Sequence, residues 1–257
     1  MKIELMTMWY NESFLAPFFL RHYRFVDKIH IFLDADTDDG TLGKINEARA
    51  HHGGIHVHEF RFPDKMDDRI KAGQFNAFYK TIDADYVFLV DSDEFIFYPP
   101  GYLDANPYVV HFTKLWNVHR HHTDQDLNPD LPIREQRRHG VSDFEGWDVY
   151  TKPNIVKAKQ DFHWDLGHHA GYLDGHWVEW NAQHEGFPPG VSRMAPLEGA
   201  HWSMADPAFV FDRRVKGRKD RQSKVNLEHG WAVQHHAITE EAIRASLKRH
   251  ENDPQVL

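Results

Sequence analysis

The chain has 257 residues, 41% hydrophobic and 27% charged, a composition that can bury a core and is not that of a disordered chain. Acids outnumber Lys and Arg by 39 to 30, for a net charge of −9 with histidine neutral, so no global nucleic-acid footprint is expected. There is no cysteine, which excludes disulfides, thiolate catalysis and cysteine-bound zinc and fits a reducing compartment.

No apolar run approaches the roughly 18–20 residues of a membrane span. The N-terminus MKIELMTMWY enters a strand pattern without a signal-peptide core, so the expectation is a cytoplasmic protein. Lys2–Met8 reads as a strand. A helix follows from Asn11-Glu12, with Pro17 in its first turns, where a missing N–H is tolerated. Lys28–Leu33 is a second strand, DADTDDGT a loop, and Leu42–His52 a helix stopped at Gly53-Gly54. Ile55–Phe60 alternates as a strand. Asp67–Ile82 carries Ile70, Phe75, Phe78, Tyr79 and Ile82 near a 3.6-residue period, and Tyr86–Val90 is a fully apolar strand. Alternation of this kind predicts a parallel sheet covered by helices.

The second half is less regular. Tyr108–Thr113 and Asn154–Lys159 read as strands, and residues 117–148 as a long polar excursion. Residues 161–187 are rich in Trp, His and Gly, and Asp206–Val215 and Thr239–His250 read as helices, the latter with Thr239 as N-cap. With no repeat and no Gly/Ser-rich linker, one domain over 1–257 is expected, with functional halves 1–98 and 99–257.

Acids gather where the strands end. Asn11 and Glu12 with Trp9 follow the first strand, Asp34, Asp36, Asp38 and Asp39 the second, and Asp91, Asp93 and Glu94 the fourth. Open parallel sheets bind ligands at these carboxyl ends. In an extended chain Asp91 and Asp93 project to one side and can share a divalent cation. DADTDDGT is not an EF-hand loop: Gly40 stands one place late and Ile45 occupies the position of the bidentate Glu. Most of the 21 histidines read as surface or packing residues, with paired tracts such as His121–His122 and His168–His169 as candidates for ligation or proton transfer.

The blocks WYNE, DADTDDGT, QFNAFYK and YVFLVDSDEF, in that order over residues 1–98, resemble the family 2-like glycosyltransferases of GT-A fold, closest to the branch that resembles family 92 and carries D-x-D-E-F. The resemblance implies an α/β, GT-A-like fold: a mostly parallel, Rossmann-like N-terminal half and a less regular C-terminal half. It implies a UDP- or GDP-sugar donor and Mn2+ or Mg2+. Trp9, Asn11 and Glu12 would border the nucleotide pocket and Asp34 the base or ribose, with Asp36 a further donor-binding candidate. Asp39, Gly40 and Thr41 would shape the loop, while Gln74 and Asn76 would face the donor. Asp91 with Ser92 would reach the ribose or a metal-bound water, Asp91 being also a candidate ligand, and Asp93 would bind the metal. The loop departs from the common D-D-x-S-x-D-G-T form, with Thr37 in place of Ser.

In EGAHWSMADPAFVFDRRVKGRK, His201 lies between an expected strand and helix. It is the candidate third metal ligand, with Arg214 and Lys216 as phosphate contacts. In DFHWDLGHHAG, Asp165 or His168 is the candidate base, and Trp164, Trp177 and Trp180 are candidate sugar-stacking residues. The function expected is metal-dependent transfer, with inversion, from a nucleotide sugar to a glycan or lipid-linked glycan. Peripheral attachment at the inner membrane face is compatible with it. Two other readings stand beside it. FLDADT resembles the haloacid-dehalogenase-like phosphatases, with Asp34 as nucleophile and Asp36 as acid. A non-catalytic carbohydrate-binding protein is the third.

Overall fold

The computed structural model describes residues 1–142, 150–181, 187–192, 194–218, 220–231 and 239–257, the side chain of Lys216 apart. The N-terminal half follows the expected order: β1 (Ile3–Trp9), α1 (Ala16–His22), β2 (Lys28–Asp34), α2 (Thr41–Arg49), β3 (Ile55–Phe60), α3 (Asp68–Tyr79) and β4 (Tyr86–Leu89). These four strands pair in parallel in the order β3-β2-β1-β4.

Strand alternation sorts side chains onto the two faces of this sheet. On one face Ile3, Leu5, Ile29, Ile31, Tyr86 and Phe88 pack with Phe18, Phe19 and Leu20 of α1. On the other, Met6, Phe32, Val87 and Leu89 pack with Phe75 and Tyr79 of α3. Both faces are covered, which is why Tyr86–Leu89 is apolar at every position.

α1 starts later than the sequence suggests. Asn11 takes a left-handed backbone (φ +51°), and the first helical bond runs from Ala16 N–H to the Glu12 carbonyl, 2.9 Å. Asp67 caps α3 by accepting from Arg69 N–H at 2.9 Å.

The second half extends the sheet with antiparallel as well as parallel pairs. β5 (Glu94–Ile96) is followed by α4 (Tyr102–Ala105), β6 (Val110–His119), α5 (Ile133–Gln136), β7 (His139–Val141) and β8 (Thr151–Lys157). β9 (Phe162–Trp164), β10 (Ala170–Leu173) and β11 (His176–Glu179) form a separate antiparallel sheet. β12 (Leu197–Met204) lies between β6, parallel to it, and β5, antiparallel. The expected strand at 108–113 is thus the start of a longer strand that runs through to His119. His201 sits within β12, not after a strand.

The expected helix at 206–215 is α6 (Pro207–Val210), capped by Asp206, running on into a π-helical segment, Phe211–Arg218. α7 (Lys224–Glu228) and a final helix, Glu240–His250, complete the chain, with Thr239 capping the last by accepting from Ala242 N–H at 3.1 Å. Among the described residues no helix is long and apolar enough to cross a membrane.

Candidate functional site

β1 lies between β2 and β4, so the sheet grows in opposite directions from the β1/β4 pair. That makes it the topological switch point at which ligands bind in such sheets. Glu12 follows β1 and Asp91-Ser92-Asp93 follow β4, so the acids expected at strand ends do converge there.

At the centre stands Arg213, a residue the sequence reading passed over. Its guanidinium donates to Glu12 Oε1 at 2.8 Å, to Ser92 Oγ at 2.8 Å and to Asp93. Arg218 donates to the same Glu12 oxygen at 3.0 Å. The π-helical segment accounts for the pairing: i→i+5 bonding widens the turn and brings residues five apart onto one face. Glu12, Asp93 and Arg213 are all buried, yet Glu12 Oε2 and Arg213 Nε have no hydrogen-bond partner among the described residues. Burial raises the Asp93 carboxyl, but Arg213 and then His201 outweigh it and hold the group well below the usual carboxylate range. His201 Nε2 lies 3.4 Å from Asp93 Oδ2, and its Nδ1 lies 3.1 Å from Asn117 Oδ1.

Asp91 belongs to a second, adjoining cluster. The extended geometry expected for Asp91 and Asp93 is not what the chain adopts. β4 ends at Leu89, and Glu94 N–H donates to the Asp91 carbonyl at 3.0 Å, closing a turn. The two carboxylates take different partners. Lys71 of α3 donates to Asp91 at 2.7 Å, and Lys152 of β8 donates to Glu94 at 2.6 Å and lies 3.9 Å from Asp91. Burial opposes the charge on Lys152, but Glu94 and Asp91 push its pKa up to about 12. The ligand atoms of Asp91, Asp93 and His201 do not all lie within 4.8 Å of one another.

His168 adjoins this second cluster. It is buried edge-on against Phe75, ring centroids 5.2 Å apart, and its Nε2 has no hydrogen-bond partner among the described residues. Burial first, then Lys71, keeps this imidazole neutral. Asp165, at the mouth of the same turn, is half-buried.

A third ion pair closes the rim. Arg221 donates to Asp34 and sits over Tyr10, its Cζ 3.5 Å from the ring centroid. Its position comes from backbone pairing with Met66 just before α3: Met66 N–H donates to the Arg221 carbonyl and Ser223 N–H to the Met66 carbonyl, both at 2.9 Å. Asp36 points outward to Arg61 at 2.6 Å, and Asn11 exchanges hydrogen bonds with Asp38. Asp39 accepts from Ser13 N–H at 2.9 Å and Thr41 N–H at 3.1 Å, with Gly40 left-handed at φ +88°, so the DGT block shapes its loop as expected.

Other expected residues lie apart from these clusters. Trp9 is 1% exposed, edge-on to Phe19, with its indole N–H bonded to Thr7, so it presents no face to a ligand. Asn76 clamps the Trp164 backbone through both amide atoms, at 2.9 and 2.8 Å. Gln74 is half-buried on the same helix. Trp164 is itself buried and bonded to the Pro153 carbonyl, while Trp180 packs against Phe112. Arg214 points to Ser203 Oγ at 3.1 Å, and the Lys216 side chain lies outside the described residues. A cavity of about 300 Å³ beside α1, lined by Phe18, His22, Phe97 and Arg134, contains none of the clustered charges.

Of the residues missed, one carried a signal in the sequence. Lys152 is a charged residue within a strand whose neighbours are buried, and an interior charge demands a partner. Arg213, Arg218 and Arg221 lie in a basic run whose phase no periodicity argument supplies.

No family model matches the chain, and no curated protein does. Among solved structures, S. aureus TarS 1-349 in complex with UDP matches at 16% identity over 61% of this chain and 47% of that one, TM-score 0.38. The same fragment with UDP-GlcNAc matches at 17% over 50% and 37%, TM-score 0.36. The mannosyltransferase PcManGT from Pyrobaculum calidifontis, in complex with GDP-Man and Mn2+, matches at 15% over 45% and 35%, TM-score 0.32. The chain thus spans less than half the length of these structures.

Proposed function

We propose that the protein is a divalent-cation-dependent glycosyltransferase that moves a sugar from a UDP- or GDP-sugar to a hydroxyl of a glycan or lipid-linked glycan, with inversion. One observation carries this reading: the buried Glu12–Arg213–Asp93 group with the partly buried His201 beside it at the β1/β4 switch point, in a chain bearing the WYNE and DSDEF blocks.

Asp93 and His201 fit a cation at two positions. Their facing atoms are 3.4 Å apart, close to the roughly 3.0–3.4 Å edge between two ligands bound at about 2.1 Å. Asp91, held by Lys71 and Lys152, serves the ribose or a water. The cation, when bound, offsets the charge of the departing diphosphate. Arg213 and Arg218, released from Glu12 and Asp93, add donors to the same diphosphate. Asp34, Arg221 and Tyr10 form the nucleoside rim. Asp165, more accessible than His168 and close to it, accepts the proton of the attacking hydroxyl.

The test is a thermal-shift screen of UDP- and GDP-sugars with and without MnCl2, followed by nucleotide release. Stabilisation by one donor only with manganese, and at least about 100-fold slower release in Asp93→Asn, supports the reading. Phosphate release from simple monoesters, lost in Asp34→Asn and kept in Asp93→Asn, would instead establish a phosphatase. Sugar binding that needs neither nucleotide nor metal would establish a carbohydrate-binding protein.

A further inference from the structure

His201 and Asn117 are register partners in the parallel pair of β12 and β6, so their side chains leave the same face of the sheet. His119, two residues along β6, projects to that face as well. The three side chains form a row. His201 Nδ1 lies 3.1 Å from Asn117 Oδ1, and Asn117 Nδ2 lies 3.2 Å from His119 Nε2. At the far end His119 Nδ1 lies 2.9 Å from Asp253 Oδ2, though off the line of a full hydrogen bond. His250 Nδ1 faces the same carboxylate oxygen at 3.0 Å.

The Asp253 carboxylate sets the direction of every proton in the row. His119 is buried, and burial first, then the His250 ring stacked on it, keeps its imidazole neutral, the pKa pushed down to about 3. A neutral ring carries one N–H. That proton belongs on Nδ1, because a bare Nδ1 would set two acceptors against each other at 2.9 Å. Nε2 is then the acceptor and takes the Asn117 Nδ2–H. This orients the amide: its Oδ1 faces His201 and accepts from Nδ1–H. Ser203 Oγ stands farther off, 3.4 Å from the same nitrogen, and accepts from Arg214. With its proton on Nδ1, His201 turns a bare Nε2 toward Asp93, 3.4 Å away.

We propose that Asn117, oriented by His119 and Asp253, is a positioning residue that holds His201 as its Nδ1–H tautomer and so presents Nε2 as a free ligand atom beside Asp93. A divalent cation needs the lone pair of that nitrogen, and a ring whose other nitrogen donates to a fixed oxygen offers it in advance. For this consequence the inference rests on the cation reading above; the tautomer itself does not depend on it. The row also gives the end of the chain a part in the site. Asp253 lies just past the helix Glu240–His250 and reaches Asp93 through three intervening side chains, His119, Asn117 and His201.

The test records the ring nitrogens of the histidines by NMR in the nitrogen-labelled full chain, metal-free at about pH 8, above the ordinary imidazole pKa. His201→Gln identifies the His201 signals. Mn2+ affinity is measured in parallel from the EPR signal of the free ion. Wild-type His201 should show the Nδ1–H tautomer alone. Asn117→Leu, close in volume but without either polar atom, should lose that single form and bind Mn2+ at least about 10-fold more weakly. Asn117→Asp, which still accepts from His201, should keep the Nδ1–H form. Val118→Ala, a buried change on the other face of β6, should leave both readouts at wild-type values. The proposal is overturned if wild-type His201 carries its proton on Nε2, if Asn117→Leu keeps the wild-type tautomer, if Asn117→Asp loses it, or if Val118→Ala weakens Mn2+ as much as Asn117→Leu does. The wild-type spectrum decides even where Asn117→Leu fails to fold. A wild type that binds no Mn2+ would sink the cation reading, and the His201 tautomer would still decide this inference.

Discussion

Arg213 is the hinge of the site's electrostatics. A guanidinium buried between two carboxylates costs desolvation, which the geometry offsets through three hydrogen bonds. Removing it leaves Asp93 buried with only His201 beside it, at 3.4 Å, and leaves Glu12 to Arg218 alone. Arg213→Met is therefore expected to lower unfolding stability by about 3–5 kcal/mol in urea titrations. Adding Glu12→Gln should recover part of that loss, because the second substitution removes one of the stranded charges; no recovery would mean the two residues are not coupled. Glu94, an open question from sequence alone, turns out to be the partner of Lys152 at 2.6 Å.

At the scale of elements, β12 brings His201 beside Asp93 because it is held between β5 and β6. Gly199 permits this approach. A Cβ there would meet the Phe95 carbonyl oxygen at 2.7 Å and Leu115 Cδ2 at 2.6 Å, and neither β5 nor β6 can retreat cheaply. Gly199→Ala is expected to cost about 1–3 kcal/mol by thermal or urea unfolding, and to slow nucleotide release by moving His201 away from Asp93. Asp206, which accepts from Phe209 N–H at 3.1 Å, sets the start of the helix that delivers Arg213. Asp206→Ala should cost about 1 kcal/mol, read in the same unfolding experiment. Neither effect follows from composition: both depend on which strands are neighbours.

For the whole molecule, the buried ion pairs set a pH window. Asp93 titrates below its ordinary value of 3.8 in the folded state, so its stabilisation is present above that pH and is lost as pH falls through the lower folded value. Lys152 titrates at about 12 rather than 10.5, so its contribution is complete below pH 10.5 and is lost as pH rises towards 12. Thermal unfolding midpoints should accordingly hold between about pH 7 and 10 and fall above that range; they should also fall below about pH 6.5, where unfolding lets the buried neutral imidazoles of His22, His111, His119 and His168 bind protons, with the loss at Asp93 following at lower pH. Lys152→Met should flatten the alkaline fall specifically; an unchanged alkaline limb would show that Lys152 does not bear this load.

Much of this protein is legible before folding. Apolar runs, the alternation of β3 and period-3.6 patterns over residues 1–90 mark the strands and helices, because the inner strands bury both faces, the edge strand β3 only part of its surface and each helix one stripe. The acids Glu12, Asp34, Asp91 and Asp93 announce a ligand edge, because carboxylates at the ends of apolar strands need counter-charges. Partner choice is another matter. Arg213 rather than Arg214 reaches Asp93 because a π-helical segment changes the phase of the helix. Asp91 parts from Asp93 because the chain turns after Val90. Trp9 and Asn76 serve the core and a strand clamp because their directions depend on packing between distant elements. His119, His250 and Asp253 meet across 131 and 134 residues of chain. Local pattern determines where strands, helices and charges lie; only the assembled sheet determines which charges face one another, because that depends on contacts between segments far apart in sequence.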